Sequence, residues 1–428
     1  MLDGITCVII ATIVMLVLML VFKVPVFVSI FAACMSYFIL NPNASVGMAA
    51  QRITSGVESV SLLACPFFIF AGVLFNSCGI TERLMGFSDL VTGRIHGGLA
   101  QANILLSTIM GGMSGSNNAD AAMEAKIMIP AMEERGLPRA FSAVITAFSS
   151  LITPLIPPGI CMILYSTMAN ISTGEMFTWG LIIGVIMCVT MMMFTAWVSR
   201  RRGFKPTREG PMPKGALAHS LARSWPSLML PVVIIGSIRI GAVTPSEAGA
   251  VAVVYALVLG LVYRKMNLKS LTESLKETAV TTGAILLIVS ACSMYSWVLT
   301  KEQIPQLLTN TVLELVSNKF VFLVVINIFM LIVGMFMEGA AATIILAPLL
   351  APIAAQYGID AVHFGMIVTV NLSIGVITPP LGTVMFVTCN TCDCKIGDFL
   401  KESWPYFLYM LALLLVVTYV PFVIPGIY

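Results

Sequence analysis

The chain has 428 residues, 58% of them hydrophobic and only 10% charged, against roughly 25% charged in an average soluble domain. That balance excludes a soluble globular protein and makes the chain a polytopic membrane protein, all-helical, in a lipid bilayer. The net charge of +3 gives no reason to expect a nucleic-acid partner, and no Walker A pattern, nucleotide fingerprint or HExxH appears, so an ATP motor would have to sit on another chain.

In chain order, Ile5 to Phe22 and Val24 to Leu40 predict a tight helical pair, with Lys23 at the turn and Asn41 to Ala44 ending it. No basic leader region or small-residue cleavage site accompanies the first run, which is expected to be a retained span. Val60 to Phe75 is a third span, with Pro66 a tolerated kink. Thr81 to Ile95 mixes apolar residues with Glu82, Arg83, Asp89 and Arg94, the pattern of an interfacial helix. Leu99 to Met110 and Ala119 to Met132 are each short for a crossing and flank the polar cluster Ser114-Gly115-Ser116-Asn117-Asn118. They predict a re-entrant hairpin over 98–135. Ala140 to Met168 is a fourth span, broken at Thr153 to Gly159, where three prolines make an unbroken helix very costly. Met176 to Val198 is the fifth.

The loop that follows carries Arg200, Arg201, Arg202, Lys205, Arg208, Lys214 and Arg223, and a later loop carries Arg264, Lys265 and Lys269. The positive-inside rule makes both cytoplasmic. Between and after them come spans at Leu228 to Ile240, Glu247 to Val262 and Ala279 to Val298, then an interfacial helix at Ile304 to Val316. A second hairpin is expected over 320–357 with its tip at Gly334 to Thr343. A second broken span covers 362–390, with its break at Thr378 to Thr383, and Phe407 to Val423 closes the chain.

The two halves share one register. Adding 222 pairs Gly112 with Gly334, Pro130 with Pro352, Gly136 with Gly358, Pro157 with Pro379 and Pro158 with Pro380 without a gap. Gly and Pro fix backbone geometry, so these matches indicate a duplicated unit rather than shared composition. The expected halves are 1–210 and 211–428. Each crosses five times, and an odd number turns the second copy upside down, giving two inverted repeats.

Two such copies would bring hairpin tips and broken helices together near the bilayer midplane. The breaks can be packing kinks. Alternatively, freed carbonyls with the hydroxyls of Ser114, Ser116, Thr153, Thr343, Thr378 and Thr383 suit a small hard cation, while helix N-termini suit an anionic substrate group; the duplication in matching places favours this second reading. Candidate substrate contacts are Ser116, Asn117, Asn118, Asp120 and Glu338. Asp120 and Glu338, read as tip carboxylates, either serve an ion or substrate or are simply wet; Lys126 is a weaker candidate. His96, His219 and His363 lie near span ends, where structural roles are expected. Cys389, Cys392 and Cys394 sit close together, but no further Cys or His completes a tetrahedral metal set.

At GGMSGSNNADAAMEAKIMIPAMEERG, with TPLIPPG after it and GVITPPLGT in the second half, the sequence resembles the large membrane subunit of tripartite ATP-independent periplasmic (TRAP) transporters over essentially the whole chain. The resemblance implies an elevator-type, sodium-coupled importer of organic acids such as C4-dicarboxylates or sialic acids, in the bacterial inner membrane. It also implies two partners, a small four-span membrane subunit and a periplasmic substrate-binding protein. With no four-span segment ahead of Met1, the unfused arrangement is expected. By position, one sodium site would use Gly112, Ser114, Ser116 and Asn117 with Thr153, Pro154, Pro157 and Gly159. The other would use Gly334, Gly339 and Thr343 with Thr378, Pro379, Gly382 and Thr383. The second tip, GMFMEG, lacks the Ser and Asn of the first, so its ion contacts would be mainly backbone carbonyls. A self-sufficient divalent-anion/sodium symporter shares the same plan and is the alternative, though its Ser-Asn-Thr hairpin signature is missing. An intramembrane enzyme lacks the nucleophile–base pair or metal set it would need.

Overall fold

The structure, a computed structural model, describes residues 3–22, 24–41, 44–78, 80–208, 210, 215–316, 318–380 and 382–423. Lys23, Pro42, Asn43, Lys214 and Leu381 lie outside these, as do the side chains of Glu82 and Arg223. Among the described residues the chain is helical with no strand. Helices α1 (Gly4–Leu20) and α2 (Val26–Leu40) pack side by side, followed by α3 (Val46–Ser55), α4 (Ala64–Ser77) and α5 (Ile80–Thr92). The first hairpin is α6 (Gly98–Ser114) and α7 (Asn117–Glu134); then come α8 (Arg139–Ser149), a 3-10 segment at Ser150–Leu155, α9 (Ile160–Ala169) and α10 (Thr173–Arg201). The second half contains α11 (Ala216–Arg239), α12 (Pro245–Val262), α13 (Leu268–Lys301) and α14 (Ile304–Leu315). It ends with the hairpin α15 (Lys319–Phe336) and α16 (Gly339–Gln356), then α17 (Ala361–Gly375), α18 (Thr383–Thr391) and α19 (Ile396–Val423).

Local chemistry sets several of these starts. Ser45, Ser172, Thr244, Asn267, Asn318 and Asp360 each cap the following helix by accepting from backbone N–H groups of its first turn. Thr244 and Glu247 do so reciprocally, as a capping box. Among the described residues six helices are long and apolar enough to cross a bilayer, or seven if α8 with its 3-10 extension and α9 count as one bent span. Two of the six are the hairpin arms α15 and α16, so length alone does not separate an arm from a span.

Two boundaries differ from expectation for the same reason. α13 has 34 residues and begins at Leu268, not Ala279, and α11 begins at Ala216, not Leu228. Apolar runs mark only the stretch in hydrocarbon, whereas a helix continues into water on polar turns such as Lys269 to Glu277. The hairpin arms are likewise longer than their apolar runs. Asn117, Asn118 and Asp120 are already helical, so the first tip narrows to Gly115 and Ser116.

Burial is concentrated in the broken spans. Every residue from Phe141 to Leu155 is buried, as is every residue from Val362 to Gly375. Around them, α15 turns Val321, Val324, Val325, Ile328 and Ile332 outward, an apolar face suited to a lipid environment. Phe141 and Phe148 of α8 pack on Tyr406 of α19, which also meets Phe194 of α10 edge-on at 5.1 Å. Arg202, at the end of α10, pairs with Glu402. Each hairpin is tied to its broken span by buried polar groups. Asn103 of α6 donates to Thr146 of α8 at 2.6 Å, and Asn371 of α17 donates to Asn327 of α15 at 2.8 Å.

Candidate functional site

Close backbone approach brings the first tip against the first break. A Cβ on Gly111 would lie 2.9 Å from the Thr153 Cα, and one on Gly115, whose φ of 59° is left-handed, would lie 2.8 Å from the Pro158 carbonyl oxygen. Larger residues would push the two apart. From the other side, Gly72 of α4 meets the tip so closely that a Cβ there would stand 2.2 Å from the Met113 carbonyl oxygen. The Pro157–Pro158 and Pro379–Pro380 bonds are both cis.

Within this junction Thr153 donates to Asp120 Oδ2 at 2.7 Å, and both residues are fully buried. One turn further along the same face of α7, Glu124 accepts from Ser107 at 2.5 Å, and Ser107 also contacts Ser149 at 2.8 Å. The remaining carboxylate oxygens, Asp120 Oδ1 and Glu124 Oε1, have no hydrogen-bond partner, nor do the buried Ser114 Oγ and Asn118 Oδ1. Among the described residues neither carboxylate makes an ion pair. Buried oxygens left in this condition are costly unless a cation or proton joins them. The donor set, all oxygen and mostly hydroxyl, amide and carboxylate, fits a small hard cation.

The second tip and break are built differently. Gly334 crosses Gly375 so closely that a Cβ on Gly334 would lie 2.8 Å from the Gly375 Cα. Thr343 and Thr378 spend their hydroxyls on the carbonyls of Gly339 and Ile374, at 2.7 and 2.9 Å. Only Thr383 Oγ1, among the hydroxyls expected to serve this site, is buried without a partner.

Between the tips lies a cavity of about 340 Å³. Gly115, Ser116, Asn117 and Asn118 line it from the first hairpin, Glu338 and Gly339 from the second, and Thr281 to Ile288 from α13. The starts of α7 and α16 therefore both border it, and N-terminal helix ends favour an anion. Its described lining contains no Lys, Arg or His.

Four of the expected substrate contacts, Ser116, Asn117, Asn118 and Glu338, thus line one cavity, whereas Asp120 faces the break through Thr153. Being fully buried, Asp120 is not a wet tip residue. Gly112 and Pro154 are packed within the first junction, with Pro157 and Gly159 in the buried break beside it, and Pro379 is exposed in the second break beside Gly382. Lys126 is exposed and off the cavity wall. His363 is buried, its Nε2 3.0 Å from the Val417 carbonyl oxygen. Cys392 and Cys394 direct their sulfurs to backbone carbonyls, and burial pushes the Cys392 thiol up to about 11. Sequence reasoning missed Glu124, Ser107, Ser149, Cys161, Ser373 and the α13 wall. Glu124 alone carried a signal, a carboxylate one turn after Asp120 in an apolar arm.

Comparison with known proteins agrees with this architecture. A solved structure of the YdaH transporter of Alcanivorax borkumensis superposes with a TM-score of 0.61 over 88% of both chains at 15% identity, a likeness of fold. The sialic acid TRAP transporter large permease protein SiaM of Vibrio cholerae is 35% identical over 93% of both chains. The C4-dicarboxylate TRAP transporter large permease protein DctM of Pseudomonas aeruginosa is 37% identical over 88% of both. The sequence profile described as the DctM component of the tripartite ATP-independent periplasmic transporter matches residues 13–423. With two hairpin tips meeting two broken helices and this match along its length, the chain belongs to the DctM family of TRAP transporter large permease proteins.

Proposed function

We propose that this permease is a sodium-coupled secondary transporter that imports an organic acid, of the C4-dicarboxylate or sialic acid type, across the bacterial inner membrane by an elevator motion. The acid is delivered by a periplasmic binding protein, and a small four-span subunit completes the membrane complex. The halves 1–210 and 211–428 act as inverted repeats, and their hairpins and broken spans move together against the remaining helices. The observation that carries the sodium reading is the set of buried, unpartnered oxygens on Ser114 and Asn118 at the first tip and on Asp120, which Thr153 binds, with Thr383 at the second break. Two or more sodium ions are expected, the first site rich in side-chain oxygens and the second relying on backbone carbonyls.

The energetics suffice without ATP. Two sodium ions with a monoanion carry one net charge inward, worth about 2.3 kcal/mol per 100 mV. At about 1.4 kcal/mol per decade that sustains roughly fortyfold accumulation, to which the sodium gradient adds. The test is uptake of labelled succinate and N-acetylneuraminate into proteoliposomes containing the permease and its small subunit, under an inward sodium gradient, with and without the binding protein. Uptake that needs both sodium and the binding protein is expected. Uptake indifferent to sodium would refute the ion sites, and uptake without the binding protein would establish a self-sufficient symporter instead.

A further inference from the structure

Beyond Ile344, which borders both, the substrate cavity gives way to a second crevice of about 330 Å³ lined by Arg52, Ser293, Ser296, Trp297, Thr300 and Pro348. The two share one helix face. Thr281, Ala284, Ile285 and Ile288 of α13 line the first, and Cys292, Ser296 and Thr300 line the second, spacings of three and four that form a single stripe. From Ile285 to Ser296 that stripe advances about 16 Å at ~1.5 Å per residue.

The stripe also has a direction. Arg264, Lys265 and Lys269 stand at the start of α13, which the positive-inside rule assigns to the cytoplasm. Arg52 and Trp297 then lie toward the opposite, periplasmic end. One wall of the crevice is α13 with α3; the other is Ile344 and Pro348 of α16 with Met168 of α9, which belong to the hairpin and broken-span set. Sliding that set toward the periplasm carries its anion-binding tips from the Thr281–Ile288 stretch toward the Cys292–Thr300 stretch.

Arg52 is the distinctive group there. Its guanidinium lies 6.0 Å from the Trp297 ring centroid, and Trp297 is itself stacked on Phe38 at 5.9 Å. Its buried Nε has no hydrogen-bond partner, and among the described residues no carboxylate pairs with it. A guanidinium keeps its charge and presents a fork matched to a carboxylate. The cavity between the tips has no basic residue in its described lining, so among the described residues that line the two spaces Arg52 alone offers an acid such a fork. Lys301 adds positive charge nearby, 5.4 Å from the same Trp297 ring.

We propose that the Arg52 crevice is a subsite for the carboxylate of the transported acid, engaged only when the hairpins stand toward the periplasm. The proposal rests on the sodium-coupled elevator reading above. The test uses the complete permease with its small subunit and binding protein in proteoliposomes, with succinate or N-acetylneuraminate, whichever the wild type carries. Arg52→Gln should raise the KM for uptake from the periplasmic face at least tenfold, leaving sodium dependence and the KM for counterflow from the cytoplasmic face unchanged. Arg52→Lys should restore part of the loss. Ser296→Leu, which fills the crevice while keeping the charge, should reproduce the one-sided effect and carries the test should Arg52→Gln not reach the membrane. An unchanged periplasmic KM, or an equal rise on both faces, would overturn the subsite. So would wild-type activity that tracks anionic lipid and loses that dependence in Arg52→Gln, since the crevice would then hold a phospholipid headgroup. Absence of uptake in the wild type overturns the transport reading itself; a normal wild type with an indifferent Arg52→Gln overturns only this inference.

Discussion

Replacing Thr153 by Val separates an ion site from a packing junction, because it removes one hydroxyl and keeps the shape. In the native protein that hydroxyl donates to Asp120 Oδ2 at 2.7 Å, while Oδ1 has no partner. The variant leaves both oxygens of a fully buried carboxylate without a donor and removes one oxygen from the proposed first sodium site. A hydrogen bond to a charged group is worth about 1.5–3 kcal/mol, and at ~1.4 kcal/mol per decade this corresponds to about a ten- to hundredfold weaker sodium affinity. The assay is the thermal stability of the purified membrane complex titrated with sodium chloride, with potassium chloride holding ionic strength constant. Thr146→Val is the control, seven residues earlier in α8, where the hydroxyl accepts from Asn103 at 2.6 Å. It should lower stability while leaving the sodium midpoint unmoved. A Thr153→Val protein that titrates at the wild-type sodium concentration, or a Thr146→Val protein whose midpoint shifts as far, would refute the reasoning.

Gly72→Ala places a Cβ 2.2 Å from the Met113 carbonyl oxygen, and overpacking against backbone should cost about 1–3 kcal/mol, seen as a lower melting temperature of the complex; an unchanged value would mean that α4 and the tip are not in contact in the membrane. Glu124→Ala removes the acceptor that Ser107 uses, leaving that hydroxyl only Ser149, and opens space in a fully buried site, a loss of about 1–3 kcal/mol, whereas Glu124→Gln keeps an acceptor and should be distinctly milder in the same melt. Equal damage from both would indicate that the charge itself is needed there. Because burial holds the Cys392 thiol up to about 11, it stays protonated at neutral pH. Its maleimide labelling, followed by mass spectrometry, should quicken about tenfold per pH unit from 7 to 10 as thiolate appears. A plateau below pH 9 would contradict this.

What the sequence disclosed was mainly what the backbone must do. Pro157 and Pro158, with their partners Pro379 and Pro380, announce breaks that no helix can avoid, and the structure interrupts both spans there. The glycines at 111, 115 and 334 were legible as special positions, but not their neighbours: nothing local says that Gly334 faces Gly375, 41 positions away. Helix limits were less legible, since Lys269 to Glu277 extend α13 in a polar sequence that hydropathy ignores. The side chains of the site were partly legible. Ser116 and Asn117 advertise themselves by being polar in an apolar arm, yet Asp120 and Asn118, two residues apart, have different surroundings. Asn118 reaches the cavity while Asp120 bonds to Thr153, because successive helical residues rotate by about 100° and only packing decides which direction holds the break.

The same packing makes the two halves chemically unequal despite their common register. In the first, Ser114 and Asn118 at the tip and Asp120, bonded to Thr153, each leave an oxygen unpartnered. In the second, the Thr343 and Thr378 hydroxyls already donate hydrogen bonds to the Gly339 and Ile374 carbonyls. A hydroxyl oxygen that donates can still accept or coordinate through its lone pairs, so the second junction can hold an ion, but with no carboxylate matching Asp120 to attract it: adding 222 to 120 gives Ala342. Charge balance then predicts an order. The first junction, with a buried carboxylate already in place, should bind sodium more tightly and fill first, and Asp120→Asn should abolish the tighter of two phases in a sodium titration. Persistence of both phases in that variant would show that the carboxylate serves the packing of tip against break rather than the ion.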